Sequence, residues 1–138
     1  MRKRLSIINI IGFGILLFNC TSKQTDFIET PSGLKYKILK EGQGEPVKKG
    51  HEVFIHETMS YTNDSLLFDS RNLPSPVKVL VGGSQAIDGV DEALPGMKVG
   101  EIKKLIVPPK LSQRSGEHMF PHPDSTLVYE IELIEILN

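Results

Sequence analysis

An α+β fold, an antiparallel sheet with one short helix against its face, is predicted by three observations in this chain. From residue 35 onward the apolar residues come in short runs of β type, separated by glycine and proline. A single segment, residues 84–94, breaks that pattern with the 3.6-residue period of a helix. No stretch repeats another.

The first run, Lys35–Lys40, alternates and ends at Glu41-Gly42-Gln43-Gly44. The second, Glu52–Met59, puts Val53, Ile55 and Glu57 on one face and Phe54, His56 and Thr58 on the other. Leu66–Ser70 is a short third run, Val77–Val81 a fourth and Ile102–Val107 a fifth. Thr126–Leu137 is a long sixth, rich in β-branched and aromatic residues. In the helical segment Ser84 is the expected N-cap, and Ile87, Val90 and Leu94 follow on one face at i, i+3 and i+7. Asp88, Asp91 and Glu92 are expected to face outward, where the N-terminal half of the helix dipole favours acids. Pro95-Gly96 stops the helix after about three turns. Gly89 inside it costs about 1 kcal/mol relative to alanine, so tertiary packing must hold this helix.

A length of 138 residues suits one folded domain. Sixteen Lys and Arg against 17 Asp and Glu leave a net charge of −1, with no basic footprint for nucleic acid. One cysteine excludes an internal disulfide and a Cys-rich zinc site.

The first twenty residues differ from the rest. Arg2-Lys3-Arg4 precedes an uncharged apolar run, Leu5–Phe18, the pattern of a secretory signal peptide. It falls short of the roughly 20 apolar residues a spanning helix needs. The run ends in Leu17-Phe18-Asn19-Cys20, which resembles a bacterial lipobox, with Leu17 three residues before the thiol that would be acylated. Two alternatives stay open on the residues alone, an uncleaved apolar anchor and a signal peptide cut elsewhere. The expected organisation is a signal peptide at 1–19, lipidated Cys20 with a polar tether to residue 30, and a folded domain at 31–138. The expected location is the bacterial cell envelope, anchored by lipid to the inner or outer membrane, with the domain facing the periplasm. Losing residues 1–19 removes three bases and no acid, taking the net charge from −1 to −4, so acyl chains rather than basic residues would hold the membrane.

Several short motifs fall in a fixed order: Ser32-Gly33-Leu34-Lys35-Tyr36, Lys49-Gly50, Phe68-Asp69-Ser70, then Gly89-Val90-Asp91-Glu92-Ala93-Leu94-Pro95-Gly96-Met97. Val99-Gly100-Glu101, Val107-Pro108-Pro109 and Thr126-Leu127-Val128-Tyr129-Glu130-Ile131-Glu132-Leu133 complete the set. In this order and spacing they resemble the FKBP-type peptidyl-prolyl cis-trans isomerases over residues 30–138. The resemblance implies a half-barrel sheet wrapped over the helix, an apolar pocket between them, and a substrate that is an extended peptide containing X-Pro. It implies that Phe68 and Asp69 form one pocket wall, Tyr129 another, Ala86 and Ile87 the rim and Val90 the floor, with Val77 near the edge. It also points to the backbone N–H of Ile87 as a donor to a substrate carbonyl. No cofactor and no metal are implied. The implied partners are proline-containing peptides or unfolded exported proteins, and the alternative is a non-catalytic peptide-binding or chaperone module on the same fold.

Three positions depart from the family pattern. Glu57 stands where a tyrosine is usual, Val90 where a tryptophan is frequent, and Leu111-Ser112-Gln113-Arg114 where a tyrosine-glycine pair is usual. Glu57 is expected in the pocket beside Asp69, the two carboxyls sharing a proton or bridged by Arg71. The stretch from Pro108 to Ser125 is expected to overhang the pocket as a loop, with Met119 and Phe120 as apolar contacts. His118 and His122 lie four apart, but Pro121 and Pro123 break the helix that would align them on a metal.

Overall fold

The structure, a computed structural model, describes residues 26–113 and 121–138. The expected signal peptide, Cys20 and the first half of the expected tether, to residue 25, lie outside the described residues, as do Arg114, His118, Met119 and Phe120.

The strands are β1 (Ile28–Glu29), β2 (Lys35–Lys40), β3 (Glu52–Tyr61), β4 (Leu66–Asp69), β5 (Val77–Leu80), β6 (Ile102–Val107) and β7 (Leu127–Ile136). They form one antiparallel sheet in the order β1-β2-β6-β7-β3-β4, with β5 sharing the β3 edge beside β4. The alternation read in β3 and β7 sets the two faces: Val53, Ile55 and Met59 turn inward with Tyr129, Ile131 and Leu133. Leu105 and Val107 of β6 join them, and the helix α1 (Asp88–Ala93) closes this face through Val90, Ala93 and Leu94. The α+β class, with a central helix against an antiparallel sheet, is therefore as the sequence pattern indicates.

Four local features differ from expectation. β1 is too short for its alternation to register, yet it pairs with β2, so the sheet begins ahead of the expected domain start at residue 31. A one-turn helix, α2 (Pro109–Ser112), starts the segment read as loop, with Pro109 in the first turn where a missing N–H costs nothing. A 3-10 turn, Ser70–Asn72, follows β4. The central helix is also shorter than its apolar period suggests, starting at Asp88 rather than just after Ser84.

Gly89 sits where α1 presses on β6: a Cβ there would come within 2.7 Å of Val107 Cγ1. The close approach accounts for a glycine that helix propensity disfavours. At the other end of α1, Lys103 reaches in from β6 and its Nζ donates to the Ala93 carbonyl at 3.0 Å, satisfying a helix C-terminal acceptor. Nζ also lies 3.7 Å from Glu101 Oε1, and Glu101 Oε2 accepts from the Lys98 N–H at 3.1 Å. Both residues are buried. Burial pushes the Lys103 ammonium below its ordinary range, and the facing charges of Glu101 and Glu41 oppose that shift.

Removing one member of a buried ion pair strands the other. Lys103→Met should cost about 3–5 kcal/mol in urea unfolding, and adding Glu101→Gln, which keeps an acceptor for Lys98, should restore at least half. With the Lys103 pKa lowered in the folded state, the unfolded chain holds that proton to higher pH. Stability should therefore rise as pH climbs from the lowered value to the ordinary lysine value, and the double variant should lose this rise.

Candidate functional site

A cleft of about 450 Å³ opens between β5 and the turn that leads into α1. Val77 and Val79 of β5, Ala86 and Ile87 of the turn and Val90 of α1 give it an apolar strip, and Glu57 of β3 stands in its wall. Lys78, Ser84, Gln85, Asp88 and Gln113 complete the lining. Ile87 and Val90 are 4% and 1% exposed and form its deepest part. The lining is thus mixed, an apolar strip bordered by polar groups.

The turn is built by side chains from both its neighbours. Gln85 Oε1 accepts from the Leu80 N–H at 2.9 Å, taking the last donor of β5. Asp91, expected to face solvent, instead reaches back from α1 and accepts from the N–H groups of Gly82 and Ser84 at 2.8 and 3.0 Å. These bonds hold Ser84 at φ 56°, a left-handed conformation incompatible with its expected role as N-cap. Ile87 takes the N-cap position with extended backbone, φ −64° and ψ 154°, and no capping side chain. Its carbonyl accepts from Val90 and Asp91, while its N–H meets no acceptor among the described residues.

Of the expected site residues, Glu57, Val77, Ala86, Ile87 and Val90 meet in this cleft. Phe68 and Asp69 border a neighbouring depression of about 260 Å³ with Leu66, Leu67, Asn72 and Leu73. Phe68 and Tyr129 both pair with Met59, one from each side, so they leave the same sheet face from backbone positions two strand spacings, about 10 Å, apart. Tyr129 is 1% exposed, and its hydroxyl donates to Met59 Sδ at 3.0 Å. It belongs to the buried core cluster.

The expected Glu57–Asp69 partnership is corrected by register. Asp69 pairs with Thr58 and Glu57 with Ile131, and adjacent positions on β3 face opposite ways. Arg71 bridges Asp69 to Glu132 instead: its backbone N–H donates to Asp69 Oδ1 at 2.9 Å and its guanidinium to Glu132 Oε2 at 2.6 Å. The sequence reading missed Val79, which the alternation from Val77 could have supplied. It also missed Gln85, Asp88 and Gln113, for which spacing offers no signal. Among the described residues no three His, Cys, Asp or Glu side chains are grouped to hold a metal.

Residues 43–134 match the sequence profile of the FKBP-type peptidyl-prolyl cis-trans isomerases. The chain is 36% identical over 104 residues to FK506-binding protein 1 of Dictyostelium discoideum, covering 74% of this chain and 96% of that one. It is 33% identical over 107 residues to an FK506-binding protein of Neisseria meningitidis serogroup B, covering 75% and 96%. The crystal structure of FkpA from Escherichia coli superposes with a TM-score of 0.71 at 28% identity, over 83% of this chain but only 53% of that one.

Asp91→Ala should free the Gly82 and Ser84 amides. Hydrogen exchange at both should quicken at least tenfold, with a loss of about 1–3 kcal/mol in global stability.

Proposed function

This chain belongs to the FKBP-type peptidyl-prolyl cis-trans isomerases, and we propose that it speeds X-Pro isomerisation in exported proteins from a lipid anchor on the bacterial envelope. The domain from about residue 31 would do this work in the cleft between β5 and α1. The observation that carries the reading is the Ile87 N–H, without an acceptor among the described residues and set beside Val77, Val79 and Val90.

Rotation about X-Pro is slow because amide resonance imposes a barrier of about 18–20 kcal/mol. Twisting the bond breaks the resonance and reduces charge separation, so the twisted imide is less polar than either planar form. An apolar strip beneath the imide disfavours the planar forms relative to the twisted one, which is differential binding without nucleophile or metal. The Ile87 N–H would hold a substrate carbonyl and so fix one side of the bond while the other turns. Lowering the barrier by about 5–8 kcal/mol corresponds to roughly 10⁴–10⁶ in rate. The polar groups around the strip favour a second reading, a module that binds proline peptides without turning them over.

A protease-coupled assay on a proline tetrapeptide separates the two, since binding alone gives no rate above background. Proline fits φ −64° and lacks the N–H, so Ile87→Pro compared with Ile87→Ala isolates the donor. Ile87→Pro should fall about tenfold below Ile87→Ala in kcat/KM; equal values would remove the N–H from the mechanism. For the anchor, Cys20→Ala should move the protein from the membrane fraction to the soluble one. A wild-type chain already soluble after expression in a bacterium would end that part of the proposal.

A further inference from the structure

β4 is the last strand on its side of the sheet. It pairs with β3 alone, and its outer edge meets no strand among the described residues. Proteins usually protect such an edge with lysine or proline, because its open N–H and C=O groups accept any extended chain. Here the edge reads Leu66-Leu67-Phe68-Asp69, and its one charged residue is already paired with Arg71. Leu66 and Leu73 are 61% and 46% exposed and border the depression of about 260 Å³ beside the strand. Two exposed leucines, a hollow between them and an unpaired edge together have the make-up of a surface that binds an extended apolar segment by strand addition.

This surface shares no lining residue with the isomerase cleft, but strand register brings the two close together. Phe68 borders the depression and pairs with Met59, and Glu57, in the cleft wall, lies two residues from Met59 on the same face of β3. To a strand added outside β4 the offset is about 7 Å along β3 and about 10 Å across, two strand spacings. Four extended residues span it, so one polypeptide can occupy both places at once.

We propose that the outer edge of β4, with the Leu66–Leu73 hollow, is a docking site for an extended apolar segment of the client chain whose proline lies in the cleft. The proposal rests on the isomerase reading and adds a substrate class to it: unfolded polypeptides with leucine- or valine-type residues a few positions from the proline. Linking the two contacts raises the effective concentration of the proline at the cleft, so long unfolded chains gain where short peptides do not.

The test uses the double variant Leu66→Glu/Leu73→Glu in the mature chain, with Leu66→Ser/Leu73→Ser as a milder pair should the first fail to fold. On proline-limited refolding of an unfolded protein, kcat/KM should fall about tenfold, while that on a proline tetrapeptide stays within twofold. Affinity for a reduced, carboxymethylated protein should fall about tenfold, and adding that protein to wild type should slow amide exchange along Leu66–Asp69. Equal losses on both substrates, no loss on either, or unchanged exchange in β4 would each overturn the proposal. So would a wild-type dimer that the substitutions dissociate, since the edge would then serve a second copy. If wild type turns over neither substrate, the isomerase reading fails, and the binding and exchange measurements still decide the docking site.

Discussion

Ten residues of β3 meet β4 and β5, four residues each, along one edge, and the backbone groups left between those partners have to be satisfied from elsewhere. The break falls at His56 and Glu57. Ser70, wholly buried in the 3-10 turn after β4, fills it: its Oγ accepts from the Glu57 N–H at 2.9 Å and pairs with His56 Nδ1 at 3.1 Å. That one hydroxyl lets the edge change partners without leaving a buried donor unpaired, a defect that costs about 1–3 kcal/mol. Because β5 returns to β3 beyond the break, Val77 and Val79 face α1 and the cleft has its first wall.

The second wall depends on a helix that could not stand alone. Six residues lie far below the length at which an isolated helix forms in water, so α1 is fixed from outside at both ends. Asp91 ties its N-terminal half to the turn at Gly82 and Ser84, and Lys103 ties its C-terminal carbonyl at Ala93 to β6. Between them Gly89 lets the helix lie against Val107. The position of Ile87 and Val90 in the cleft follows from these contacts rather than from helix propensity.

Much of this was legible before any coordinates. Strict alternation gave the faces of β3 and β7, and a single helical period beside Pro95-Gly96 gave the one central helix. The failures share a cause, which is that local pattern cannot see a side chain reaching across the fold. Ser84 looks like an N-cap until Asp91 holds its N–H in a left-handed turn. Arg71 looks able to join Glu57 to Asp69 until register turns those two to opposite faces and offers Glu132 instead. The burial of a whole row through Leu105, Tyr129 and Met59 is likewise a property of the assembled sheet, which no single motif displays.

The strand order has a consequence for how the chain is made. β7, the last of the described strands in chain order, lies in the middle of the sheet, between β6 and β3, and its Ile136 pairs with Val53. Until β7 has emerged from the ribosome, β3 with its two edge partners and β6 with β2 are separate halves lacking their common neighbour. The sheet therefore cannot complete itself piecemeal during translation, and it closes only once β7 is available to both halves. A member of a prolyl isomerase family thus has a late, long-range closure of its own to pass.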